Sequence, residues 1–276
     1  MKEVRIEMVG MTMVVADDGG PIRYPINGRR NHSTHTNPAE KGGFVTQPAE
    51  SGSEYRTMWV LDVSLSVFSY MSQPHRIETA DWSYTPDHSA KVTRQLIREL
   101  DKGTPFVLAC LKAPPARAAR EPLETLVLEI KRDLIGEEKK YTKKLKGAGV
   151  LYETNGIHFH RVEEDPGLTA CDVYHLPAIA MDFPALVPEE KALIAWKHLS
   201  KRGGVSTYAD IVHALGGGPN GIEAAHCLHG RGHIWIDLTK NPVANMFTTR
   251  VAMPPLFGAN RDLAARLLGA RRPADG

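Results

Sequence analysis

Six consecutive residues, Leu126-Val127-Leu128-Glu129-Ile130-Lys131, constrain this chain more than any other segment. The apolar run reads as a strand over 125–130, and its period of 2 sets Leu126, Leu128 and Ile130 on one face and Val127, Glu129 and Lys131 on the other. A strand that buries one face therefore projects an acid and an amine together from the opposite one. A carboxylate held this way can ligate Mg2+, and an ammonium beside it can position a water or help deprotonate it.

The chain around that strand predicts an α/β protein in two parts. With 276 residues, 42% of them hydrophobic and 24% charged, it is long enough to bury two modest cores and too apolar for wholesale disorder. Residues 1–53 read as an arm: 17–53 are rich in Gly, Pro, Asn and Ser, show no apolar period and carry the basic cluster Gly28-Arg29-Arg30-Asn31-His32. Within 54–167 helices and strands alternate. A helix is expected over 54–67, strands over 67–70 and 81–85, a helical stretch over 91–100, an apolar strand over 106–111, a loop over 113–121, a lysine-rich helix over 139–147 and a strand over 157–162.

Composition changes at Asp165-Pro166-Gly167, so a second domain is expected over 168–276. There, helices over 188–199, from Ser206 as N-cap to 215, and over 220–229 precede strands over 232–238 and 246–253, with Gly216 to Pro219 as a turn. Three helices followed by a two-stranded ribbon is the layout of a winged helix.

Two further acids fit the Glu129–Lys131 chemistry. Glu54 precedes Met58 and Leu61 by one and two helical turns, so its carboxylate faces inward. Asp87 closes the run Tyr84-Thr85-Pro86-Asp87. Taken alone, an acid-x-lysine triplet is a common surface ion pair; with Asp87 and an inward Glu54 it makes a metal site for phosphodiester hydrolysis. Glu50 is a rival for the helix carboxylate, and Asp81 is the fallback for Asp87.

The runs Glu50-Ser51-Gly52-Ser53-Glu54-Tyr55, Ser66-Val67 to Gln73-Pro74, Tyr84-Thr85-Pro86-Asp87 and Leu128-Glu129-Ile130-Lys131 resemble the nuclease domain of TnsA-type transposon endonucleases. The resemblance spans about residues 40–255 and rests on motif order. It implies a restriction-endonuclease-like PD-(D/E)xK core followed by a winged helix. It also implies Glu54, Asp87 and Glu129 as metal acids with Ile130 in the metal set, Lys131 as catalytic lysine, and Mg2+ as cofactor with Mn2+ as substitute. The implied activity is cleavage of the 5′, non-transferred strands of double-stranded transposon ends, in company with a DDE transposase and an AAA+ ATPase regulator. The stretch from 91 to 121 is longer than the family's and reads as an inserted hairpin or helix. A stand-alone restriction-like nuclease of defence or repair and a winged-helix DNA-binding adaptor are the alternative expectations.

For DNA contact the expected residues are Lys139, Lys140, Lys143 and Lys144 on the lysine-rich helix, Asn220, Glu223 and His226 on the recognition helix, and Lys240 and Arg250 near the wing. A formal charge of +2 excludes a basic coat over the whole protein but allows a basic face. Three scattered cysteines argue against a disulfide framework, and the spacing of His226, Cys227, His229 and His233 matches no common zinc site. The triple glycine lacks the lysine of a phosphate loop. With no signal peptide and no apolar run of spanning length, the expected location is the cytoplasm, away from any membrane.

Overall fold

The computed structural model describes residues 2–23, 34–39, 41–43, 45–114, 120–131 and 139–253. The chain divides into two compact units, one of Met1–Asp62, Val67–Cys110 and Pro122–Ala170, the other of Val63–Ser66, Leu111–Glu121 and Cys171–Gly276. Both are built from helices and sheets, so the architecture is mixed α/β. Among the described residues no helix is long and apolar enough to cross a membrane.

The first unit is organised by the strand singled out above. It is β9 (Glu124–Lys131), buried along both faces from Leu126 to Ile130. A strand buried on both sides needs neighbours at both edges and cover above and below. β10 (His158–Glu163) lies parallel at one edge with His158 opposite Leu126, and β8 (His88–Val92) lies antiparallel at the other. β5 (Val67–Ser72) completes this four-stranded sheet. Parallel neighbours require a crossover, and α4 (Lys139–Thr154) supplies it between β9 and β10. The buried stripe of α4 carries Leu145, Ala148 and Tyr152. It packs against Val127 of β9 and against Met11, Ile77 and Tyr84.

Those last three belong to a second sheet, ordered β1 (Glu3–Met8), β2 (Met11–Ala16), β6 (Arg76–Glu78) and β7 (Ser83–Tyr84), antiparallel throughout. A separate hairpin pairs β3 (His35–Ala39) with β4 (Val45–Ala49). Strands therefore occupy much of the segment read as an arm. The signal was hidden because Pro38 and Pro48 sit inside the hairpin, where each removes a ladder donor and is tolerated on a two-stranded edge. The basic cluster at 28–32 lies outside the described residues.

Three other elements differ from expectation. Residues 106–111 form a helix, α3 (Phe106–Leu111), since a six-residue apolar run fits a buried helix as well as a strand; the Pro105 carbonyl accepts from the Ala109 N–H at 2.9 Å, opening the turn. Residues 91 and 92 end β8, and the following helix, α2 (Arg94–Asp101), starts at Thr93, whose hydroxyl accepts from Leu96 N. The stretch read as an insertion thus contributes the last two residues of β8, the strand that separates β9 from β5, and the helices α2 and α3. The helix expected at 54–67 begins earlier and ends earlier, as α1 (Gly52–Val63).

In the second unit α5 (Leu176–Met181) precedes α6 (Glu189–Lys201), which buries Ala192, Ala195, Trp196 and Leu199 at helical spacing. Then come β11 (Val205–Thr207), α7 (Tyr208–Ala214), α8 (Gly218–Gly230), β12 (Trp235–Ile236) and β13 (Arg250–Ala252). The cap of α7 is Thr207, not Ser206, which lies in β11; Thr207 Oγ1 accepts from Asp210 N at 3.2 Å. Gly218 and Pro219, read as a turn, open α8, because proline suits the first helical turn. The expected two-stranded ribbon is shorter and gains a third strand, in the order β11-β13-β12.

α7 and α8 approach so closely that a β-carbon on Gly221 would lie 2.4 Å from the Val212 carbonyl oxygen. Gly221→Ala should therefore destabilise the protein by about 1–3 kcal/mol, as overpacking does. Denaturant unfolding would read this, and an unchanged midpoint would show that the contact is not that tight.

Candidate active site

Four of the predicted residues, brought from three parts of the chain, open on one cavity of about 800 Å³ in the first unit, lined by Glu54, Asp87, Glu129 and Lys131 together with Glu50, Ile130, Tyr84, Tyr141, Lys144, Arg23, Arg56 and Glu164. The strand period delivers Glu129 and Lys131 to the side of β9 that faces α4, as Val127 on the same face shows. Glu129 is 2% exposed, and three side chains engage its carboxylate. Tyr84 donates to Oε2 at 2.5 Å, Tyr141 donates to Oε1, and Lys131 Nζ lies 2.8 Å from Oε1. The Lys131 ammonium also sits 4.6 Å from the centroid of the Tyr141 ring.

Glu54 reaches the cavity as part of a helix cap. Ser51 Oγ accepts from Glu54 N at 3.1 Å while the Glu54 carboxylate accepts from Glu50 N at 2.8 Å and from Ser51 Oγ at 2.9 Å. This is a close variant of the capping box. The rival, Glu50, also lines the cavity, where it pairs with Arg23 at 3.0 Å. Asp87 lies in the connection between β7 and β8, hence between the two sheets, and accepts from Ile130 N at 2.7 Å. A residue's N–H and C=O leave a strand by the same edge, so the Ile130 carbonyl faces the Asp87 side of β9. The fallback, Asp81, is exposed in the β6–β7 turn, its N–H directed to Thr79 Oγ1.

The charges in the cavity act on one another. Burial, then the Glu129 and Glu54 carboxylates, push Asp87 well above the usual carboxylate range against the opposing pull of Ile130 N–H and Lys131. Burial raises Glu54 as well, with Glu50 and Glu129 adding to it and the cap hydrogen bonds opposing it. Burial alone would lower the Lys131 ammonium, but Glu129 and Tyr141 together outweigh it and hold the lysine above its ordinary value. Burial and then Glu129 raise both Tyr84 and Tyr141, keeping their hydroxyls as donors. Beyond the acids, Arg56 pairs with Glu164, and Ser53 Oγ donates to the same carboxylate at 3.0 Å.

Of the lysine stripe, only Lys143 and Lys144 have described side chains. Helical phase turns Lys144 into the cavity and Lys143 to solvent, and the side chains of Lys139 and Lys140 lie outside the described residues. In the second unit Asn220, Glu223, Lys240 and Arg250 are exposed, whereas His226 is 3% exposed. Its Nδ1 lies 2.7 Å from Asp182 Oδ2 and its Nε2 2.9 Å from Tyr208 Oη. The i, i+3 pattern that links 220, 223 and 226 runs into the interior, because α8 is buried almost all round from Ala224 to His229. His226 is therefore no DNA contact. Cys227 Sγ donates to Ala185 O and His229 lies 3.0 Å from Val63 O, so both serve packing.

Among the described residues no group of three or more His, Cys, Asp or Glu side chains stands ready to hold a metal ion. No protein-family model matches the sequence, and no curated protein matches it. Tyr84, Tyr141, Arg23, Arg56 and Glu164 were missed by sequence reasoning. Only Tyr84 carried a signal, inside the run that ends in Asp87.

The raised Asp87 sets a pH dependence of stability. A group whose folded pKa lies above its unfolded one stabilises the fold at pH below the unfolded value, here the ordinary 3.8, and that stabilisation is lost as pH rises through the folded value. Asp87→Asn removes the loss while keeping an oxygen for the Ile130 N–H. In EDTA, the variant should melt above wild type at pH 7, and the difference should shrink toward pH 3.5. A variant less stable than wild type at pH 7 would contradict the repulsion.

Proposed function

We propose that this protein is a divalent-cation-dependent DNA endonuclease of the TnsA type, with a restriction-endonuclease-like core in the first unit and a winged helix in the second. The observation that carries this reading is the convergence of Glu54, Asp87, Glu129 and Lys131 on one cavity from α1, the β7–β8 connection and β9. The motif order that resembles TnsA-type nucleases is thus also a spatial cluster. Within the reading, the strand order β11-β13-β12 supports the winged helix, since β11 falls between α6 and α7 and pairs with the last strand. Asn220, Lys240 and Arg250 remain its exposed candidates for DNA contact.

The donor set fits a hard cation. Carboxylate oxygens and a strand carbonyl suit Mg2+ or Mn2+, and the raised Asp87 and Glu54, which share the cavity with Glu129, would be relieved by positive charge. Asp87, Glu129 and the Ile130 carbonyl would hold the ion, with Glu54 behind them. When bound, it neutralises charge that develops on the phosphoryl oxygens. Lys131, kept protonated by Glu129, serves as a fixed cation for a phosphate oxygen and not as a base. Lys144 at the cavity wall would supply further positive charge for the DNA backbone. By the family resemblance, the substrate is the 5′ strand at transposon ends, cut beside a DDE transposase and under an AAA+ regulator.

Glu129→Ala and Lys131→Ala should each lower Mg2+- or Mn2+-dependent nicking of end-containing plasmid, with the transposase partner supplied, by about a hundredfold or more, as loss of a preorganised electrostatic group does. Circular dichroism should show both folded. Wild-type rates in both variants would remove the catalytic assignment.

A further inference from the structure

We propose that Tyr141 is a positioning residue that sets both members of the Glu129–Lys131 pair, its hydroxyl fixing the carboxylate and its ring carrying the ammonium. The inference rests on the nuclease reading for its catalytic consequence. Its geometric content stands by itself. One side chain touches both residues: Tyr141 donates to Glu129 Oε1, and its ring centroid lies 4.6 Å from Lys131 Nζ, which is itself 2.8 Å from that oxygen.

The placement of Tyr141 follows from the packing of α4. Tyr141, Leu145, Ala148 and Tyr152 fall at i, i+4, i+7 and i+11, one stripe of a helix, and the last three are buried in the core against Met11, Ile77 and Val127. The core therefore fixes the helix, and the helix brings the ring to the end of β9. Lysine needs such a guide. Its ammonium is a point charge on a flexible four-carbon stem, and a single contact with Glu129 leaves that stem several rotamers. A ring face at cation–π distance restricts it.

The hydroxyl has a separate effect. A carboxylate offers about four lone-pair sites. Tyr141 and Lys131 occupy Oε1, and Tyr84 takes one site on Oε2, so the remaining acceptor capacity of Glu129 is directed through Oε2 alone. Tyr141 thereby determines which oxygen Glu129 offers to a cation or a substrate.

Two variants separate ring from hydroxyl. Tyr141→Phe keeps the ring and should lower kcat for plasmid nicking by about tenfold, the scale of a hydrogen bond to a charged group. Tyr141→Leu should lose roughly a further three- to tenfold. KM for DNA should stay within about twofold of wild type in both, because the lost precision is paid at the reacting centre. A second readout needs no cleavage. With lysine carrying 13C at Cε, the Lys131 resonance, assigned by its loss in Lys131→Arg, should be shifted upfield by the ring current in wild type and Tyr141→Phe and should move to the unshifted position in Tyr141→Leu. An unshifted wild-type resonance, or one unmoved in Tyr141→Leu, overturns the inference, as do wild-type kcat values in both variants. Absent cleavage by wild type with a ring-shifted resonance would defeat the nuclease reading and leave the positioning intact.

Discussion

Glu129 is the constraint around which the first unit is arranged. An ionised carboxylate at 2% exposure costs many kcal/mol unless charge and hydrogen bonds compensate it. The compensation is drawn from three places: Lys131 on the same strand, Tyr84 on β7 of the other sheet, and Tyr141 on the crossover helix. Each donor also has a packing role or neighbour in the core that joins the two sheets through α4. The polar centre and the apolar core are therefore one construction.

The remaining acids are held less comfortably. Glu54 is neutralised in part by capping its own helix, and Asp87 has the Ile130 N–H, but both are pushed toward protonation by burial, Glu54 further by Glu50 and Glu129, and Asp87 by Glu129 and Glu54. Proteins place such conflicts where they act. Here the conflict sits in a cavity whose wall also carries Lys131, Lys144 and Arg56, so acids and cations line one space. The second unit shows the opposite use of polar groups. Asp182, His226 and Tyr208 form a chain that joins α7 and α8 to the end of α5 and consumes the histidine that spacing alone would send to DNA.

What was legible followed from strong local patterns. The period of β9 placed Val127, Glu129 and Lys131 on one face because side chains alternate along a regular strand, and the pattern of α6 gave its buried residues. Glu54 was found by helical phase, although its second role was also written in Ser51-Gly52-Ser53-Glu54 as a capping signature. The illegible parts were long-range. Nothing near Tyr141 in the chain announces a carboxylate twelve residues earlier, because its position is set by how α4 packs on two sheets. Strands β3 and β4 were masked by prolines, and α3 by a run of six apolar residues that suits either conformation. His226 misled because surface spacing and buried spacing are identical on a helix enclosed on nearly all sides.

The central claim is that Asp87 and Glu129 together hold a catalytic divalent cation. Titration of the metal-free protein with Mn2+, followed by loss of the free-ion electron paramagnetic resonance signal, tests it without DNA or partner. The account predicts saturable binding that is weakened about tenfold or more by Asp87→Asn and by Glu129→Gln, each of which keeps the side-chain volume while removing a charge. Absence of saturable binding in wild type, or affinity unchanged in both variants, would contradict it.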